Sequence, residues 1–346
     1  MQTKNDNIEL IAAHAAVCAG IFGVAVVIVW IGMGSLLILV ALITAVVLLF
    51  NAVIRGAGKF AVKNPAKWVA RLCVFFLSVI TALVTVCGLL YFVQDSMFFQ
   101  NVDSPEDRAL LQGKLGYSGV EFAAGNGKTY HGLMYRQAGG AAPLVIYFGG
   151  NGDCSYEYMS QMDIKNRWRY YAGYNYLYVD YEGYGLNGGK AHYLNMYEEA
   201  LAVYDYAAAL PDVDSGRIVA MGYSLGTGSA VYLAANRPVA GLILAAPYAE
   251  GIDAYNKMLP IFYGPLKLLV KQKLPSYTFA PDVTCPVMVI ASQNDEMIPY
   301  PSSMRLSKLF PGSLDFVALE TEKHSGLFNA AGVYGKIQYF LEEAAK

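Results

Sequence analysis

Residues Arg217-Ile218-Val219-Ala220-Met221-Gly222-Tyr223-Ser224-Leu225-Gly226 decide the fold. The apolar run from Ile218 reads as a buried strand, and a helix rich in small residues follows through about Asn236. Between them, Gly222 to Gly226 fit G-x-S-x-G. The pattern alone is weak, and an ordinary glycine-rich turn is the bland alternative. The context strengthens it: a sharp strand-to-helix turn needs small neighbours, because its central residue takes a strained backbone. Such a turn lifts Ser224 above the sheet, close to a helix N-terminus. The backbone N–H of Leu225 then points to where an oxyanion would form.

Outward from this elbow, strands and helices alternate. Val120–Ala123 and Thr129–Tyr135 flank Gly125-Asn126-Gly127, a hairpin signal. Further strands are expected at Pro143–Phe148, Asn175–Asp180, Arg217–Gly222, Gly241–Ala246, Val287–Ser292 and Leu314–Leu319. Helices are expected near Tyr156–Tyr171, Leu194–Leu210, Pro301–Phe310 and Gly326–Glu343. The fold class is therefore α/β, with a mostly parallel, doubly wound sheet whose chemistry sits at the strand C-terminal ends. Residues 251–280 interrupt the alternation, either as an inserted cap or as an ordinary crossover helix.

A serine hydroxyl needs a base, and the base needs an orienting acid. Of the four histidines, only His324 follows Ser224, on a short loop after the last strand. His14 falls in an apolar run, His131 in the hairpin and His192 in an upstream loop. Among later acids, Asp253 lies in the 251–280 stretch, Asp282 before a strand and Asp315 at a strand start. Asp295 follows a strand end, with Glu296 beside it as the alternative. The order Ser224, Asp295, His324 is the chain order of an elbow-type triad.

The chain has 346 residues, 55% hydrophobic and 15% charged, with a net charge of −2 and a mean hydropathy of +0.35. No basic excess favours nucleic-acid binding, and few histidines leave little room for a His-rich metal site. Cys154 and Cys285 read as free thiols. The apolar excess lies in residues 1–92. Between Ile8 and Ile54 the only charged side chain is Glu9. One helix of that length would run ~70 Å, about twice a bilayer core, so two spans are expected, at about 8–31 and 35–54. A third is expected at 72–92, giving an N-terminal bundle of about three transmembrane helices. Arg55, Lys59, Lys63, Lys67 and Arg71 mark the loop before the third span as cytoplasmic. Residues 93–116 are then expected to form a connector, and residues 117–346 a catalytic domain on the extracytoplasmic side of the plasma membrane.

Four motifs carry a family resemblance: Gly222-Tyr223-Ser224-Leu225-Gly226, Asn294-Asp295-Glu296-Met297-Ile298-Pro299, Lys323-His324-Ser325-Gly326 and Asp180-Tyr181-Glu182-Gly183-Tyr184-Gly185. Together they span about 145–325. The domain resembles the α/β-hydrolase superfamily, most closely its membrane-anchored serine hydrolases of the depalmitoylase-like branch. The resemblance implies an α/β-hydrolase fold and a second oxyanion donor, the backbone N–H of Asn151. Three departures stand out. Gly149-Gly150-Asn151 replaces His-Gly-Asn, Glu182 replaces an Arg, and Asn187 replaces a Ser.

The expected function is a membrane-anchored serine hydrolase that cleaves an ester or thioester without metal or cofactor. Its expected partners are the bilayer and a lipid or other acyl substrate; a peptide or an acetylated surface polymer is also compatible. An inactive scaffold of the same fold, or an acyltransferase with the same triad, are the alternatives. Gly183-Tyr184-Gly185-Leu186-Asn187-Gly188 satisfies G-x-G-x-x-G, but no helix opens there and no acid closes a following strand, so a dinucleotide is not expected.

Overall fold

The computed structural model describes residues 65–136 and 140–344. The chain divides into two compact units, Met1–Gln94 and Asp95–Lys346. Helix α1 covers Pro65–Phe98, and the third expected span falls within it. The first two expected spans lie outside the described residues. Among the described residues no helix is long and apolar enough to cross a membrane, so the N-terminal bundle rests on the sequence alone.

The second unit starts with a short helix, α2 (Pro105–Leu111), and a hairpin, β1 (Tyr117–Ala123) and β2 (Thr129–Tyr135). Alternation follows: β3 (Ala142–Phe148), α3 (Ser155–Ile164), β4 (Asn175–Val179), α4 (Tyr193–Ala208), β5 (Val213–Tyr223), α5 (Gly226–Asn236) and β6 (Gly241–Ala245). After α6 (Gly251–Met258) and α7 (Ser276–Phe279) come β7 (Val287–Ser292), α8 (Tyr300–Ser307), β8 (Leu314–Leu319) and α9 (Val333–Ala344). The eight strands form one sheet in the order β1-β2-β4-β3-β5-β6-β7-β8. Only the β1–β2 and β2–β4 pairings are antiparallel. The mostly parallel sheet expected from the alternation is present.

The central strands are apolar throughout because both sheet faces are covered. Successive side chains point to opposite faces. Leu144, Ile146 and Phe148 of β3 join Ile218 and Ala220 of β5 in one core. Val145 and Tyr147 join Val219 and Met221 in the other. The second core is built largely of aromatic rings, with Tyr147 stacked on Tyr158 at 4.2 Å between centroids and Trp168 edge-on to Tyr176 at 5.2 Å.

Two expected helices are shorter than the sequence suggested. The helix expected to reach Tyr171 stops at Ile164, because Asn166 takes a left-handed backbone (φ 51°), a conformation that ends helices. A separate 3₁₀ turn covers Trp168–Tyr171. The helix expected from Gly326 is a 3₁₀ turn, His324–Asn329. The chain then turns at Gly332 (φ 79°) before α9 begins. The 251–280 stretch holds α6, a 3₁₀ turn (Gly264–Leu269) and α7. Ile252, Tyr255, Phe262 and Val270 form a small core of their own there. Cys154 and Cys285 are free thiols.

Candidate active site

Ser224 sits between β5 and α5 with φ 50°, a left-handed conformation that is costly for a side-chain-bearing residue. The surroundings over-determine it. Its N–H donates to the Ala245 carbonyl at 2.8 Å, and its carbonyl accepts from the Thr227 N–H at 3.1 Å. The flanking glycines are steric requirements. A Cβ on Gly226 would lie 2.1 Å from the Phe148 carbonyl oxygen, and one on Gly222 would lie 2.7 Å from the Gly226 carbonyl oxygen. The elbow therefore packs directly on the C-terminal end of β3.

Three sequence-predicted residues come together here from three strand ends. His324 Nε2 lies 2.8 Å from Ser224 Oγ. His324 Nδ1 lies 2.8 Å from Asp295 Oδ2. The Asp295 side chain is 2% exposed and that of His324 13%. Asp295 Oδ1 accepts from the Met297 and Ile298 N–H groups, each at 2.8 Å, so both carboxylate oxygens are occupied. Glu296, the alternative acid, accepts instead from the backbone N–H of His324 at 3.0 Å. That bond holds the Glu296 carboxyl below its ordinary range. Asp253 is bound to the Ser302 hydroxyl and the Arg305 guanidinium.

Leu225 and Asn151 face the same space. Both line one cavity with Ser224, and among the described residues neither backbone N–H is spent on a hydrogen bond. The Asn151 side chain is tied down on three sides. Its Oδ1 accepts from the Gln100 N–H at 2.8 Å and the Tyr184 hydroxyl at 2.7 Å, and its Nδ2 donates to the Phe98 carbonyl. Asp153 braces the same loop by accepting the Gly150 N–H at 2.8 Å. Burial pushes the Asp153 carboxyl up, and this hydrogen bond pulls it back.

The departure at Gly149 has a physical reason. A Cβ there would lie 1.8 Å from the Tyr178 hydroxyl oxygen, so no side chain fits while Tyr178 occupies that space. The Gly149 carbonyl accepts from the Tyr181 hydroxyl at 2.9 Å. Glu182 pairs with Lys128 at 2.5 Å and accepts from Asn195 at 3.1 Å; it does not line the cavity at Ser224. Asn187 bridges two segments, accepting the His131 N–H at 2.7 Å and donating to the Asp180 carbonyl. In Gly183–Gly188 the chain turns with both Gly183 and Gly185 at positive φ. The Asp180 carboxylate sits 2.2 Å from where a Gly185 Cβ would stand. An acid at the centre of the turn is the wrong charge for a pyrophosphate.

Sequence reasoning missed the residues that brace the site. Tyr223 donates to the His324 carbonyl at 3.0 Å, and the two rings stack at 5.2 Å. Gln100, Tyr184 and Asp153 hold the Asn151 loop. Tyr223, Gln100 and Tyr184 act across long stretches of sequence, so no spacing announces their contacts. Asp153 acts locally, three residues from Gly150; Tyr223 in the elbow and Tyr184 in its glycine motif were the signals.

No family model matches this chain. An uncharacterized protein of Mycobacterium tuberculosis is 30% identical over 211 residues, covering 60% of this chain and 73% of the relative. Human alpha/beta hydrolase domain-containing protein 17C is 26% identical over 167 residues, covering 48% of this chain and 49% of its own length. Among solved structures, the Pyrococcus furiosus esterase Pf2001 superposes with a TM-score of 0.58 at 14% identity, over 71% of this chain and 97% of the esterase. The fold is that of the α/β-hydrolases. An acetyl xylan esterase from Paenibacillus sp. R4 shares the same hydrolase fold, with a TM-score of 0.55 at 16% identity, over 72% of this chain and 98% of the esterase. Ser224 stands on a sharp strand-to-helix turn, and Asp295 and His324 follow later strand ends, the chain order of a nucleophile-elbow site.

Proposed function

We propose that the protein is a membrane-anchored serine hydrolase that cleaves an acyl ester or thioester. The observation that carries this is the unbroken line from Ser224 Oγ through both His324 nitrogens to Asp295, at 2.8 Å and 2.8 Å. Ser224 Oγ attacks the acyl carbon while Nε2 takes its proton. The oxyanion is held by the Leu225 and Asn151 N–H groups. The tetrahedral adduct collapses, the leaving oxygen or sulfur takes the proton from Nε2, and an acyl-enzyme remains. Water then attacks that ester with His324 as base, releasing the acid and restoring Ser224. Asp295 keeps the ring oriented and stabilises its cation.

Anchoring follows from the uncharged stretch 72–92 and the runs before it. On α1, Phe76, Ile80, Leu83 and Val84 are exposed apolar side chains at one-face helical spacing, which supports contact with lipid. The basic residues Arg55, Lys59 and Lys63 before this helix, with Lys67 and Arg71 in its first two turns rather than in a loop, support a catalytic unit outside the cytoplasm. Protease added to intact spheroplasts should cut the catalytic unit without lysis; protection until lysis would reverse the topology.

The activity is tested with a fluorophosphonate probe on detergent-solubilised protein. Labelling of the wild type that vanishes in Ser224→Ala is the expected result. Absence of labelling in folded wild type points to a scaffold that kept the fold. Release of product only in the presence of an acyl acceptor other than water points to an acyltransferase.

A further inference from the structure

The cavity at Ser224 has a volume of ≈ 70 Å³. Pockets for drug-sized ligands run about 300–1,000 Å³, so this space is small. Its walls are apolar: Phe98, Tyr248, Met258, Leu274, Met297 and Ile298. Its depth is fixed. Tyr248, Leu274 and Ile298 are buried. The Tyr248 hydroxyl donates to the Leu225 carbonyl at 2.8 Å. Leu274 is locked in a left-handed backbone, φ 43°. Gly251, at the start of α6, cannot accept a side chain, since its Cβ would lie 2.3 Å from the Gln272 carbonyl oxygen. Phe98 is stacked face to face on Tyr255 at 4.8 Å. Gln100, Met258 and Met297 are the exposed lining residues, the methionines at 52% and 40%, and the flexible methionine side chains border the opening to solvent.

Resting on the serine-hydrolase reading, we propose that this cavity is the acyl pocket and that it selects a short acyl group, acetyl to butyryl, over a fatty-acyl chain. An acyl carbon bonded to Ser224 Oγ has its oxygen between the Leu225 and Asn151 N–H groups, which leaves the acyl tail facing this cavity. Leu274, fully buried, forms part of the cavity wall. A fatty tail would have to turn back through the mouth with its apolar surface in water, which forfeits the gain from burying each methylene. The membrane then supplies the site where the enzyme acts, and the acylated partner is a small or polymeric alcohol or thiol bearing a short acyl group.

The test is the profile of kcat/KM for p-nitrophenyl esters from acetate to palmitate, on the full chain in detergent micelles. The optimum should lie between acetate and butyrate and fall about tenfold or more by octanoate, since one methylene misfitted in an apolar pocket is worth about tenfold or more. Leu274→Ala lengthens the pocket and should move the optimum to longer chains. Ala254→Leu, on another wall, should fill it and favour acetate. A wild-type optimum at octanoate or beyond, or an unchanged profile in both variants, overturns the short-acyl assignment. A small fluorophosphonate separates the two readings. If it labels Ser224 while the profile peaks at long chains, only the pocket assignment falls. If Ser224 is never labelled, the hydrolase reading falls and takes the assignment with it.

Discussion

The backbone N–H of His324 donates to the Glu296 carboxylate at 3.0 Å, while its ring is held by the neighbouring Asp295. Two adjacent acids thus divide one histidine between them: one anchors the chain, the other orients the imidazole. The division predicts unequal effects. Asp295→Asn should lower kcat by about 10⁴-fold, because the ring loses its correct tautomer. Glu296→Gln keeps an acceptor and should lower kcat by less than about tenfold. Steady-state kinetics on both variants checks this; equal losses would mean the assignment of the two acids is wrong.

Asn151 should matter through its side chain, even though its proposed role uses its main chain. Asn151→Ala leaves the N–H in place but removes the ties to Phe98, Gln100 and Tyr184. Loss of one oxyanion donor costs about 10²–10³-fold, and loosening it should cost about tenfold to a hundredfold in kcat with KM little changed. Tyr184→Phe removes a single tie and should fall between this variant and the wild type.

Gly149 and Tyr178 compete for one space. Gly149→Ala should destabilise the fold by about 1–3 kcal/mol, since its Cβ would lie 1.8 Å from the buried Tyr178 hydroxyl. The Tyr178 hydroxyl is buried without a partner among the described residues. Tyr178→Phe should therefore be neutral or stabilising by about 1 kcal/mol. Urea unfolding of the two variants checks both.

Asp180 carries a pH dependence of stability. Its carboxyl is buried, which pushes its pKa from 3.8 up to about 6, against the hydrogen bonds it accepts from Ser155. The folded state therefore holds a proton that the unfolded state has lost between about pH 4 and 6. Stability from this group is fully present below the unfolded pKa and is lost as pH rises through the folded one. At about 1.4 kcal/mol per pH unit, the loss is on the order of 3 kcal/mol. Comparing the urea midpoints of wild type and Asp180→Asn at pH 4.5 and 7 should show the difference between them shift in favour of the variant at pH 7. A constant difference would exclude it.

The fold was legible because parallel strands buried on both faces read as unbroken apolar runs; Val287–Ser292 and Leu314–Leu319 match the expected bounds. The expected elbow serine, acid and histidine were brought together for a related reason: each follows a strand end, and strand ends converge. What the sequence hid was contact between distant segments. Nothing near Gly149 announces the Tyr178 hydroxyl, and nothing near Asn151 announces Gln100. The helix expected through Tyr171 failed at Asn166 because a left-handed residue interrupts a run whose apolar pattern continues.

The stretch just after Gln94 has a practical consequence. Asp95 pairs with Lys271 and hydrogen-bonds Gln272 at 2.7 Å, and Phe98 stacks on Tyr255. A fragment prepared for crystallisation and begun at the first strand, near Tyr117, would strip away these ties and leave an apolar face bare. The shortest fragment with an intact pocket starts at or before Asp95, and a cut further along would yield a domain that folds around a damaged wall and misreports its own substrate.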